Sequence, residues 1–99
     1  MKYRLRPAAE RDIDEAASWY GAHALDPGVP ERFLRELRAT FDAFVEAPLA
    51  FPVVHRDIRR RPLRAFPTYA VFYRVIGDVV VVTAIFHGRR RPHGWQARR

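Results

Sequence analysis

Cysteine is missing from these 99 residues, and serine and lysine occur once each, as Ser18 and Lys2. Without cysteine there can be no disulfide staple and no cysteine-based zinc site, which fits a reducing compartment. A single serine inside a helical stretch leaves no material for a nucleophilic triad. His55, His87 and His93 lack metal-ligand spacing and no carboxylate cluster accompanies them, so neither a metal nor a cofactor is expected. Long apolar runs are missing too. The longest, Val79–Phe86, is interrupted by Thr83 and falls far short of the roughly 20 residues that span a bilayer. Met1–Arg6 alternates charged and apolar residues and holds no apolar core of signal-peptide length. The expectation is a cytoplasmic protein without membrane contact.

What is present is a globular composition, 48% hydrophobic and 13% aromatic, in a chain long enough for one domain and one core, spanning 1–99. Charge is divided unevenly. Residues 1–49 carry seven Lys/Arg and nine Asp/Glu, a net of −2, whereas residues 50–99 carry eleven Arg against Asp57 and Asp78, a net of +9. A basic half beside a near-neutral one suggests an anionic partner, either nucleic acid or an acidic protein surface.

Periodicity sets the element order. Lys2–Arg6 alternates as a strand, with Tyr3 and Leu5 on one side. Pro7 suits a first helical position, where its missing N–H is harmless, and Ala9, Ile13, Ala16, Ala17 and Tyr20 follow at helical spacing. Gly21 and the turn Asp26–Pro27–Gly28 mark the end of that helix. Pro30 opens a second, in which Phe33, Leu34, Leu37, Phe41, Phe44 and Val45 form one apolar stripe until Pro48 and Pro52 stop it. After a loop over 47–56, Asp57–Ala65 reads as a strand with Pro62 at an edge or bulge. Tyr69–Ile76 and Val79–His87 form a hairpin about Gly77–Asp78, and a basic tail covers 88–99. The fold class is α+β, β-α-α-β-β-β, with a helical hairpin on one face of a mainly antiparallel sheet.

The last hairpin is apolar at both odd and even positions. Two helices cover only one face of such a sheet, so the other is expected to expose a patch. Val71, Tyr73, Val80, Val82 and Ala84, or their alternates, are the candidates, and the patch predicts a partner protein.

Several segments carry a resemblance. Phe51-Pro52-Val53-Val54-His55, Arg59-Arg60 and Leu63-Arg64-Ala65-Phe66-Pro67 are similar to the second strand of ParE-type toxins, in the RelE/ParE superfamily. Tyr69–Val75, Gly77-Asp78 and Val79–Val82 are similar to their central hairpin. The stretch from Phe86 to Trp95 resembles the family's ending, His-x-Arg-Arg-x-Pro-x-x-Trp. Ala16–Tyr20 and Glu31–Phe33 resemble its two helices. Thr68 departs from the pattern as an extra residue before Tyr69, able to bulge the strand entrance.

The resemblance implies the toxin of a type II toxin–antitoxin, or plasmid-stabilisation, system: a ParE-like inhibitor of DNA gyrase acting by protein contact and neutralised by a cognate antitoxin. It implies target-binding residues Arg60, Arg64, Arg89, Arg90 and Trp95, expected to form one surface, and antitoxin-binding residues Val71, Tyr73, Val80 and Val82. The alternative is a RelE-like ribonuclease acting on ribosome-bound mRNA through Arg60, Arg64, Arg89 and His87. A third reading is a non-toxic nucleic-acid-binding relative. Residue chemistry favours the first. The third-strand arginine of RelE-like ribonucleases is replaced by Ala70, their second-strand lysine position falls near Pro62, where this chain has no lysine, and Trp95 stands where a terminal tyrosine would be. Indole has no useful acid or base function, and arginine does not deprotonate.

Overall fold

The computed structural model describes residues 1–89 and 93–99. The chain runs as β1 (Lys2–Leu5), α1 (Pro7–His23), α2 (Val29–Glu46), β2 (Val53–His55), β3 (Ile58–Pro62), β4 (Tyr69–Ile76), β5 (Val79–His87) and a 3₁₀ turn at Gly94–Ala97. One five-stranded sheet is ordered β1-β5-β4-β3-β2. β1 joins β5 in parallel while every other pairing is antiparallel.

α1 starts at Pro7 and α2 has Pro30 as its second residue, first-turn positions where a missing N–H needs no partner. α1 continues through Gly21 to His23, two residues past the expected stop. Asp26 shapes the interhelix turn by accepting the Gly28 N–H at 2.8 Å and pairing with Arg32 at 3.0 Å. Phe33, Leu37, Phe41 and Phe44 bury one face of α2 against the sheet, at helical spacing. Leu34, assigned to that stripe by spacing, is 44% exposed.

The expected strand over 57–65 is present but shorter, as β3, and the expected loop over 47–56 contains an additional short strand, β2, joined to β3 by a tight turn. Arg56 adopts a left-handed φ of 52° there, and the Arg60 N–H donates to the Pro52 carbonyl. The Arg59 guanidinium donates to the carbonyls of Phe51 (2.7 Å) and Leu49 (3.2 Å), tying the incoming loop to β3. β3 ends at Pro62, which cannot donate to a ladder.

A bulge in β5 decides which residues meet the helices. Tyr73 is opposite Val82 but Phe72 is opposite Ala84, so Thr83 is the extra residue. It is fully buried, and its hydroxyl donates to the Phe72 carbonyl at 3.3 Å. Strict alternation would have kept Ala84 beside Val80 and Val82. Across the bulge Ile85 takes that side, and Ala84 and Phe86 turn to the other.

Val71, Tyr73, Val80 and Val82 are therefore core residues. All four are 0% exposed and pack with Phe33, Leu37, Phe41 and Phe44 beneath the helices. They present no free surface to an antitoxin. Their alternates, Ala70, Phe72, Ala84 and Phe86, join Ile58 in a second cluster on the opposite face. Nor is that face bare, as its apolar pattern suggested. The chain's own tail lies on it.

Candidate protein-contact surface on the tail side of the sheet

Trp95 is the centre of the tail's attachment. Its ring stacks on Phe72 with centroids 4.3 Å apart and planes 12° apart, and meets His55 edge-on at 6.0 Å. The 3₁₀ turn then brings Arg98, three residues on, over the Phe86 ring at 4.9 Å. Its guanidinium grips Asp12 of α1 through two parallel bonds of 2.9 and 3.1 Å. Asp12 also accepts the Ile85 N–H at 3.0 Å, serving a strand edge that β1 leaves uncovered beyond Val82. Such a fork-on-carboxylate pair fixes orientation as well as distance.

A second clasp follows. Arg74 donates through Nε to both oxygens of Asp57 (3.0 and 2.9 Å), and Arg99 pairs with the same carboxylate at 3.1 Å. The Arg99 carbonyl in turn accepts from Arg74 (2.9 Å) and Arg6 (3.3 Å). Burial opposes ionisation of Asp57, but the Arg74 hydrogen bonds and the charges of Arg74 and Arg99 outweigh it and hold the carboxyl below its ordinary value of 3.8. Under the helices, burial pushes the Tyr73 phenol up from 10.0, and its hydroxyl donates to the Pro48 carbonyl at 2.7 Å.

Beside Trp95 a pocket of about 200 Å³ opens, lined by Arg60, Thr68, Ala70, Phe72, Phe86 and Gly88. It is smaller than the roughly 300–1,000 Å³ of typical small-molecule sites, and suits one inserted side chain better than a nucleotide. Arg60 is its cation, on the exposed side of β3 opposite Phe72.

Of the expected target-binding surface, Arg60 and Trp95 are the members among the described residues that line this pocket. Arg64 sits in the β3–β4 loop, where its N–H and that of Ala65 (3.0 Å) donate to Glu36 of α2. Arg89 is exposed just past β5, its N–H donating to His87 Nδ1 at 3.2 Å. Arg90 lies outside the described residues. His87 is opposite Tyr69, a helix-side residue, and meets its ring edge-on at 5.0 Å. It borders a cleft with Asp12, Glu15 and Ala16. His87 and Arg60 are thus on opposite faces of the sheet.

Asp12, Asp57, Arg74 and Arg98 escaped the sequence reading. A signal existed for the first. Asp12 shares a helix face with Ala9 and Ala16, three residues after the first and four before the second, and a carboxylate on a buried stripe needs a partner. Among the described residues no group of three potential metal ligands occurs, and no helix is long and apolar enough to cross a membrane.

A family model described as the ParE toxin of the type II toxin–antitoxin system parDE matches residues 3–92. A solved structure described as the chromosomal ParDE TA system from P. aeruginosa superposes with a TM-score of 0.75. It is 14% identical and the match covers 88% of this chain and 95% of that one, a likeness of fold. No curated protein matches.

Proposed function

This chain belongs to the ParE toxin family of type II toxin–antitoxin systems, and from that premise we propose that it acts by protein–protein contact, inhibiting DNA gyrase until a cognate antitoxin neutralises it. The observation that carries this reading is the separation of Arg60 from His87 across the sheet. Cleavage of RNA needs a base for the 2′-hydroxyl, cations for the phosphoryl oxygens and a proton donor for the leaving oxygen, all within reach of one phosphate. Among the described residues, the pocket around Arg60 is lined by Phe72, Phe86, Trp95, Ala70, Thr68 and Gly88, none of which titrates near neutral pH. Arginine holds a phosphate but cannot serve as the base.

The same surface suits a protein target. It has a buried apolar floor, a flat aromatic wall and a cation at the rim, the anatomy of an interface hot spot. Arg60 and Trp95 are the proposed contacts with the target, supported by the exposed Arg64 and Arg89 at the adjoining loops. An antitoxin would engage residues other than Val71, Tyr73, Val80 and Val82, which the helices already cover.

Induction in bacteria tests the proposal. Filamentation with arrested replication and ongoing translation is the expected course. Immediate translation arrest with cut transcripts would replace it with the ribonuclease reading, and unimpaired growth would leave a non-toxic relative.

A further inference from the structure

The tail does not fill the face that it covers. On this face Ala70 is opposite Phe86 and Phe72 is opposite Ala84, so each small side chain sits beside a large one. The two phenylalanine rings stand 6.5 Å apart at 82°. Trp95 covers Phe72 and Arg98 covers Phe86, whereas the short side chain of Ala70 leaves space beside them. The pocket of about 200 Å³ lies there, with Ala70, Phe72 and Phe86 as its buried floor and Arg60, Thr68 and Gly88 as its exposed rim. The Gly88 N–H donates to the Thr68 carbonyl at 2.7 Å, joining two sides of that rim.

Arg60 differs from the arginines around it. Arg74 and Arg99 share Asp57, and Arg98 holds Asp12. Arg59 donates to the carbonyls of Leu49 and Phe51, and Arg61 lies over the Phe51 ring at 5.1 Å. Arg60 is exposed, and among the described residues its guanidinium meets neither a carboxylate nor a carbonyl. Nor does any acidic side chain among the described residues line the pocket. Asp12 and Asp57, the carboxylates that the tail reaches, are already paired. An apolar hollow with an unpaired cation at its rim favours an apolar group that carries an anion beside it.

Size narrows the choice. A cavity of about 150 Å³ walled by apolar side chains holds one benzene ring, so about 200 Å³ takes a single aromatic side chain. Phe72, Phe86 and Trp95 offer it the offset and edge-to-face contacts that rings prefer. We propose that the pocket receives the ring of a phenylalanine or tyrosine from a partner polypeptide, with the carboxylate of an adjacent glutamate or aspartate held by Arg60. The inference rests on this surface being the target contact, and adds the chemistry that the target presents there. A second copy of this chain does not supply it. Phe41 and Asp42 are the one aromatic–acid pair adjacent in the sequence, and Phe41 is buried. A nucleotide brings the charge but needs more room than one ring.

The test titrates the full chain by NMR with acetyl-Gly-Phe-Glu-Gly-amide and with two copies in which Ala replaces Phe or Gln replaces Glu. Expected are shifts at Thr68, Ala70, Phe72 and Gly88. Affinity should fall at least about tenfold for the Ala peptide and about three- to tenfold for the Gln peptide. Arg60→Gln should remove the preference for Glu over Gln while keeping that for Phe over Ala. Ala70→Leu, which fills the hollow, should abolish binding; if it does not fold, the exposed Arg60 position still decides. Equal binding by all three peptides, a Glu preference that survives Arg60→Gln, shifts centred elsewhere, or none at about 5 mM peptide would overturn the proposal. So would displacement of the peptide by adenosine monophosphate, or tighter binding of free hydrocinnamate, which would mark a nucleotide or small-molecule site. Peptide binding absent while Arg60→Ala still weakens gyrase inhibition sinks this inference alone. Binding as expected beside untouched supercoiling sinks the gyrase reading alone.

Discussion

Trp95 lies flat on Phe72, ring planes 12° apart and centroids 4.3 Å apart, and this contact closes the second face of the sheet. A stack of this kind adds to the apolar area it covers. Trp95→Ala is expected to lower unfolding stability by about 2 kcal/mol, because the indole is only half-buried and loses less than a fully buried one. Urea unfolding followed by far-UV circular dichroism checks it. An unchanged midpoint would mean the tail contributes nothing to the fold.

Arg98 and Asp12 form the tail's strongest polar attachment, in a partly buried setting. Arg98→Ala leaves Asp12 with the Ile85 N–H as its remaining hydrogen bond among those described. The expected loss is about 1–3 kcal/mol, below that of a fully buried pair since Arg98 keeps some solvent. A double-mutant cycle with Asp12→Asn should recover at least about 1 kcal/mol as coupling between the two side chains. Additive losses would show that they act separately.

Much of this architecture was legible in the chain. The prolines at 7 and 30, the α2 stripe and the Gly77–Asp78 turn report local preferences, and local preferences survive folding. The second face was misread because two facts are non-local. The Thr83 bulge, which swaps the faces of Ala84 and Ile85, leaves no mark in an all-apolar run, since every register there looks equally buried. The tail's return depends on Asp12, which is 86 residues from Arg98. The turn at Arg56 that joins β2 to β3 was hidden as well, because an arginine at positive φ gives no turn signal.

Val82 tests the reassignment of the helix-side residues. Val82→Ala is expected to cost about 1–3 kcal/mol through lost burial and a cavity. Once the variant is folded, its affinity for a partner polypeptide should stay within about threefold of the parent, because Val82 is not at the surface. Calorimetric titration alongside urea unfolding separates the two effects. A large affinity loss without a stability loss would return Val82 to an interface.

Asp57 supplies a pH dependence of definite sign. Its folded-state carboxyl titrates below the ordinary value of 3.8, chiefly because of Arg74 and Arg99, despite an opposing effect of burial. The resulting stabilisation is full above the unfolded value and is lost as pH falls through the lower folded one. Between pH 5 and 8 this group should contribute no slope. Asp57→Asn should therefore reduce the urea midpoint at neutral pH, with the gap to the parent closing at about pH 2–3. A gap that widens in acid would reverse the assignment.

Purified chain titrated in parallel into a gyrase supercoiling reaction and a ribosome-driven translation reaction tests the central claim most directly. The account predicts loss of supercoiling with accumulation of cleaved DNA, weakened by Arg60→Ala, and translation that proceeds with intact mRNA. Untouched supercoiling beside fragmented mRNA would contradict it.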